Sequence, residues 1–258
     1  MAFKKYKRNP YNPLSDKPYK LSRSRIDNYL NCPRCFYMQE RRGIKAPSGP
    51  TFTLNNAVDN LYKNEFDIYR KEKQPHPIMT KNDIDCIPYE HENLPEWRNA
   101  FKGIQWHDKE TNFLFFGGID DVWINTNDEL HIVDYKATAK KTFNPDFDKG
   151  WEVCYKKQIE IYQWLFRKNG FKVSDIGYII YANGKSDEKE FNSTLSFEEH
   201  LFPLVCTTDW IDKIIKEIYQ CLNSDELPKT GEGWNGEGCE QCSYKKQLYD
   251  IFKSHNKN

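Results

Sequence analysis

Apolar positions recur along this chain in two periods, and the switches between them mark its elements. Ile26, Tyr29 and Leu30 share one face at helical spacing, behind Ser22 and Ser24, either of which suits the cap of a short helix. A second helix is expected from Leu54 to Tyr69, with Leu54, Ala57, Val58, Leu61, Tyr62, Phe66 and Tyr69 on one stripe. Between them, Gly43 to Pro50 is rich in turn residues, and Lys71 to Pro95 is polar and interrupted by prolines, as in a loop or lid. Trp97–Phe101 suggests a helical turn. The period then shortens: Gly103–His107, Phe113–Phe116, Gly117–Ile124 and Leu130–Lys136 all suit strands, the last two joined as a hairpin by Asn125–Glu129. Trp151–Lys168 has the clearest helical pattern, closed by Asn169-Gly170. Ile176–Tyr181 follows as a strand, Asn183-Gly184 as its turn and Phe191–Phe197 as a return strand. A last helix runs behind Thr208-Asp209 through Ile211, Ile214, Ile215, Ile218 and Leu222. Strands in succession, a helix, more strands, and helices before and after predict an α/β fold with a mixed central β-sheet flanked by helices.

The hairpin contains charges that such a sheet does not need. Side chains two apart on a strand share a face, so Asp134 and Lys136 project together and Tyr135 points the other way. Leu130, Ile132 and Val133 place that pair in a poorly hydrated strand, where an ion costs several kcal/mol, on the order of the measured penalties, unless it is paired or bound to a metal. Asp120 ends the first strand's glycine-rich entry beside it. Two carboxylates on adjacent strands with a lysine two residues after the second suit metal-dependent hydrolysis; hard oxygen ligands favour Mg²⁺ or Mn²⁺. A plain Asp–Lys ion pair at a sheet end is the competing reading.

Composition narrows the class. The chain has 258 residues, enough for one sizeable core, and no apolar run approaches the roughly 20 residues of a membrane span. Met1–Arg8 lacks an apolar stretch, so a cytoplasmic, soluble protein is expected rather than a secreted one. Net charge is zero but unevenly spread: residues 1–45 hold 12 Lys or Arg against 3 Asp or Glu, and the rest 26 against 35. A basic arm over residues 1–20, on an acidic body, fits contact with nucleic acid, and equally a solvated tail. Of eight cysteines, Cys32-Pro33-Arg34-Cys35 and Cys239-Glu240-Gln241-Cys242 form C-x-x-C pairs, while Cys86, Cys154, Cys206 and Cys221 suit small buried positions. If the two pairs share one metal they must converge, joining residues 21–45 to residues 228–245 within a single domain over 21–258. Four thiolates suit a structural Zn²⁺ or a 4Fe-4S cluster.

Taken together, Gly117-Gly118-Ile119-Asp120, then Asp134-Tyr135-Lys136, then Gln158 and Tyr162 at Q-x-x-x-Y spacing resemble the PD-(D/E)XK nuclease superfamily. They resemble more narrowly its RecB-like branch, which includes exonucleases of CRISPR spacer acquisition. The leading segment of that branch is matched by Tyr29, Cys32, Pro33, Arg34 and Phe36, and the motifs span residues 22 to 242 in the family's order. The resemblance implies that Asp120 and Asp134 bind metal, that Lys136 is the catalytic lysine, and that Gln158 and Tyr162 contact the site or the strand. Asp121, on the opposite face from Asp120, is expected at the surface or behind the site. One departure is clear. The branch usually has a metal-binding histidine on the helix before the sheet, and Asp59 stands in its place; none of the six histidines offers a replacement. Asp59 is therefore expected as a third oxygen ligand; a surface position beside the apolar stripe is the competing reading. The branch's iron–sulfur cysteines are usually split one and three, whereas here they are split two and two, so zinc and 4Fe-4S both stay open.

These readings imply a Mg/Mn-dependent nuclease hydrolysing phosphodiester bonds in DNA, single-stranded or at duplex ends, in repair, recombination or defence. A nuclease acting on RNA fits the same residues. So does an inactive nucleic-acid-binding subunit that lost turnover with the histidine, although the intact Asp-x-Lys speaks against it.

Overall fold

The computed structural model describes residues 9–47 and 53–255; the first eight residues of the basic arm and the end of the Gly43–Pro50 connection lie outside them. Two mixed sheets organise the chain. The smaller joins β1 (Tyr19–Ser22), β4 (Phe113–Gly117) and β3 (Ile104–Asp108) in the order β1-β4-β3. The larger has the order β2-β5-β6-β7-β8, built from β2 (Cys86–Pro88), β5 (Asp121–Asn125), β6 (Leu130–Thr138), β7 (Ile176–Gly184) and β8 (Phe197–Val205). The strand material before the hairpin thus forms a sheet of its own instead of extending the central one.

Strand β6 lies in the middle of the larger sheet, antiparallel to β5 and parallel to β7. Its first six residues are all buried, as expected for a strand covered on both faces. A parallel neighbour needs a crossover, and α6 (Val153–Lys168) supplies it. That helix buries an unbroken run from Gln158 to Phe166, because it packs against both sheets and against α1 (Arg23–Asn31). The main core gathers Leu21, Phe113, Phe115, Ile132, Ile159 and Phe166 on this side, together with α7 (Ile211–Asn223). Helix α3 (Thr53–Glu72) covers the opposite face. There Tyr62 and Phe66 lie 5.0 and 5.6 Å from the Tyr135 ring, and Phe66 stacks on Trp123.

Several expectations change. On α3 the buried stripe is narrower than its apolar pattern: Val58, Tyr62 and Phe66 face the sheet, while Leu54 and Leu61 remain exposed. The segment expected as a loop or lid holds packed structure, namely α4 (Pro77–Lys81), β2 and α5 (Leu94–Trp97). Its prolines are compatible with that because Pro77 and Pro95 occupy first turns and Pro88 ends an edge strand. Strand β7 runs straight through Asn183-Gly184; the Asn183 side chain accepts from Lys140 N at 2.8 Å and donates to Lys140 O at 3.0 Å, tying down the chain after β6 instead of turning. The return strand starts at Phe197, later than the expected one. Its charged start, Glu198-Glu199-His200, lies on a sheet edge where polar side chains meet water. The last predicted helix begins at Ile211 behind Trp210, not at Thr208-Asp209. Beyond it, α2 (Pro33–Glu40) and α8 (Glu240–His255) flank the two cysteine pairs.

The described part of the N-terminal arm is anchored: Tyr11 is buried edge-on against Tyr19 and Phe113, and its N–H donates to Glu40 O at 2.6 Å.

Candidate active site

The acidic hairpin comes together at the point where β5 begins. Asp121 pairs with Val133 in the ladder, and Asp120 lies one residue before it. There the Asp120 carboxylate replaces a strand carbonyl: its Oδ2 accepts the N–H of Tyr135 at 3.0 Å. This contact fixes Asp120 against β6 beside Asp134, whose side chain is 1% exposed. Lys136 Nζ touches Asp134 Oδ2, and the Tyr155 ring lies 4.6 Å from that ammonium.

From α6, Gln158 Nε2 donates to Asp134 Oδ1 at 2.5 Å, and Gln158 Oε1 is 3.5 Å from Lys136 Nζ. One amide therefore reads both members of the Asp-x-Lys pair. One turn on, Tyr162 donates to Gly118 O at 2.6 Å, with the Arg23 guanidinium 6.0 Å from its ring centre. This approach depends on Gly117, where an added Cβ would stand 2.5 Å from Tyr162 Cε1. The sequence separation of four puts both α6 side chains on one face, but their tasks differ: Gln158 meets the carboxylate, and Tyr162 clamps the glycine-rich entry.

Asp59 reaches the same place from α3. Lys63, one turn further, donates to Asp59 Oδ2 at 2.7 Å and to Asp120 Oδ1 at 3.1 Å. Asp59 Oδ1 is buried without a hydrogen-bond partner. Among the described residues the three carboxylates do not close into a compact metal-ligating group, and the ammonium of Lys63 lies between two of them. The chemistry of the oxygens fits a hard cation nonetheless: Asp120 neighbours both Asp59 and Asp134, and Asp59 Oδ1 is unsatisfied. Lys63 was not legible as a site residue, and its only sequence signal is its place four residues after Asp59.

The electrostatics follow from this crowding. Burial pushes the Asp134 carboxyl up to about 7; Lys136 pulls it down and Asp120 pushes it up. Asp120 is half-buried, which alone would raise it, yet Lys63 and Lys136 outweigh that effect and hold it below the usual carboxylate range. Asp59 is raised, first by burial and then by Asp120. Two neighbouring carboxylates thus titrate in opposite directions, as in sites where one proton is shared or displaced.

Asp121 is not at the surface. Its side chain is fully buried on the α3 side, where Arg70 Nη2 donates to Oδ1 at 2.5 Å, Tyr135 OH donates to Oδ2 at 2.7 Å, and Arg98 Nη2 lies 3.2 Å away. Arg98 Nε also donates to Asp120 O at 3.0 Å. Two guanidiniums and a phenol therefore grip the backbone that presents Asp120. Asp121→Ala leaves Arg70 and Arg98 only Asp67 as a shared carboxylate and takes the acceptor from Tyr135 OH, and we expect a loss of about 2–4 kcal/mol in urea unfolding. A loss under about 1 kcal/mol would mean that the network does not hold the strand entry.

The histidines serve elsewhere. His131 faces away from Asp134 and donates from Nδ1 to Ile176 O at 2.9 Å, His76 stacks on Phe66, and His91 stacks on Trp97.

The second site joins the chain's ends. Sγ atoms of Cys32, Cys35, Cys239 and Cys242 all lie within 4.8 Å of one another, with Cys35–Cys242 at 3.4 Å, Cys35–Cys239 at 3.6 Å and Cys32–Cys242 at 3.7 Å. Cys32 caps α2, and its sulfur accepts from Gly231 N at 3.2 Å and Cys35 N at 3.4 Å. Burial alone would raise the Cys32 thiol, but these N–H groups bring it down to about 7, while burial pushes Cys242 up to about 11. Gly231 is needed for the approach: a Cβ there would stand 2.2 Å from Asn31 O. The single cysteines are apart from this group, with Cys86 and Cys206 buried.

Residues 53–247 match the PD-(D/E)XK nuclease superfamily, and the chain belongs to it. Its members are generally nucleases, act on nucleic acid and usually use divalent metals. No curated protein matches the sequence. The crystal structure of SSO0001 aligns over 83% of this chain and 81% of that one, at 14% identity and a TM-score of 0.33. No helix among the described residues is long and apolar enough to cross a membrane.

Proposed function

We propose that the protein is a metal-dependent DNA nuclease of the RecB-like branch, with residues 21–258 as its single nuclease domain. The observation that carries this reading is the convergence of Asp120, Asp134, Lys136 and Gln158 from a strand entry, a central strand and a crossover helix. The order of its motifs supports the branch. Asp59, Asp120 and Asp134 would hold Mg²⁺ or Mn²⁺, which when bound supplies an activated water and neutralises phosphate charge. Gln158 orients Asp134 and, through its carbonyl, keeps the Lys136 ammonium beside it. Lys136 then presents its charge where negative charge grows on the scissile phosphate. Tyr162 and Gly117 fix the loop that presents Asp120. The basic residues of the N-terminal segment would position the backbone of the strand without reading its bases.

Labelled single-stranded DNA, duplex DNA and RNA incubated with the protein and Mn²⁺ test the reading. Shortening of DNA that stops with chelator is expected, and preferential cleavage of RNA would replace the DNA assignment.

Ionised Asp134 is needed to hold the cation, so a proton competes with it. Its carboxyl sits near pH 7, so Mn²⁺ should bind about tenfold more weakly at pH 6 than at pH 8. The sign follows from a raised carboxyl: it is protonated below 7 and free above. Titration of free Mn²⁺ by its electron paramagnetic resonance signal checks this, and equal affinity at both values would remove Asp134 from the ligand set.

For the cysteines we infer a single tetrahedral ion. A Zn–S bond of 2.3 Å places tetrahedral thiolates about 3.8 Å apart; three of the six sulfur pairs lie at 3.4–3.7 Å and all six within 4.8 Å. An iron–sulfur cluster interposes its own iron and sulfide and needs wider spacing. Four reduced thiols also suit a cytoplasmic protein. Colourless protein with one zinc is expected; brown protein with iron and sulfide would reverse the choice.

A further inference from the structure

The ammonium of Lys63 occupies the space between Asp59 and Asp120, 2.7 Å from one carboxylate and 3.1 Å from the other. Its spacing from Asp59 is the ordinary four residues of a helical ion pair. The second contact is not ordinary, because it crosses from α3 to the entry of β5. The Lys63 side chain is 18% exposed, so most of its length is packed and its charge is poorly hydrated. Two carboxylates brought together from different elements repel unless a cation or a shared proton lies between them. Lys63 supplies that cation, while Asp59 Oδ1 remains buried without a partner. The pocket therefore has more acceptor capacity than one ammonium uses. Lys136 also lowers Asp120, but its own contacts are with Asp134 and Gln158, and it does not reach Asp59.

We propose that Lys63 is a resident counter-cation, which a divalent ion must displace in order to bind Asp59 and Asp120, and which therefore sets the metal concentration at which the site fills. This rests on the reading that these carboxylates hold a divalent cation. An ammonium suits the part because it is a compact charge on a flexible stem and can swing out without rebuilding its helix. In the filled site it would stand as a free cation beside the position of a substrate phosphate. Without it, the paired carboxylates face each other unshielded and take up a metal more readily.

The experiment is Mn²⁺ binding to the full chain, read from the signal of the free ion, for wild type, Lys63→Met, Lys63→Gln and Asp134→Ala, each checked for folding by circular dichroism. Tighter binding by about tenfold or more in Lys63→Met and Lys63→Gln is expected. Unchanged or weaker binding in both, with binding lost in Asp134→Ala, would overturn the role of Lys63 and leave the carboxylate site standing. Binding unaffected by Asp134→Ala would overturn the site itself, and the role of Lys63 with it.

Discussion

Lys136→Ala is expected to lower phosphodiester cleavage by about 10²–10³-fold at saturating Mn²⁺, the usual effect of removing one preorganised charge aimed at a transition state. Asp134→Ala should cost at least as much, because it removes a metal ligand and leaves Gln158 without its acceptor. The two variants should differ in metal binding. Lys136 touches Asp134 but would not ligate, so Lys136→Ala should still bind Mn²⁺, whereas Asp134→Ala should lose it. Neither side chain belongs to the apolar core, so folding should survive. Single-turnover cleavage across a Mn²⁺ series separates the two effects, and Lys136→Ala protein with wild-type rates would leave the lysine as a mere ion-pair partner.

The second large effect concerns the cysteines. Helix α8 buries none of its residues, so little apolar packing holds it to the body. What ties it to the body is the sulfur cluster and backbone contacts of the loop before it, such as Gly233 N to Asn31 O at 3.2 Å. Structural zinc contributes about 10–16 kcal/mol of apparent binding energy in small zinc peptides. Part of that is lost to metal binding by unfolded thiols, and a net loss of about 3 kcal/mol would already lower Tm by roughly 6–12 °C. Cys242→Ser, or wild type stripped with a strong chelator, should show such a drop. Trypsin should also cut at Lys245 and Lys246 at rates that intact protein resists. Unchanged melting and unchanged proteolysis would mean that the four thiols bind nothing that matters to the fold.

The sequence was most informative where one physical demand dominates. The α6 pattern survives from Val153 to Lys168, with Trp151 in a short 3₁₀ turn before it, because the helix is buried along most of its length, and Asp134 and Lys136 share a face because strand alternation admits no other result. Pairing across sheets was not readable. Nothing local says that Phe113–Gly117 pairs with Tyr19–Ser22 in a separate sheet, since that register depends on residues more than 90 positions away. Edge strands were misread for a different reason: β2 lies in a proline-interrupted stretch that reads as loop, and the charged start of β8 moved the expected return strand to Phe191–Phe197, so only their neighbours' ladders place them. Asp121 illustrates the same limit at the site. Alternation placed it opposite Asp120, but only the fold brings Arg70 and Arg98 to meet it. Lys63 was missed because a helical Asp–Lys pair is usually a surface feature, and its second carboxylate is 57 residues away.

Asp134 is the point on which the proposed chemistry turns, since the cation, Lys136 and Gln158 all meet there. The decisive measurement compares wild type and Asp134→Ala for Mn²⁺-dependent cleavage of end-labelled DNA, with circular dichroism on the same samples. Cleavage by wild type that chelator stops, with none by a folded Asp134→Ala protein, is the predicted result. Undiminished cleavage by the variant would contradict the account.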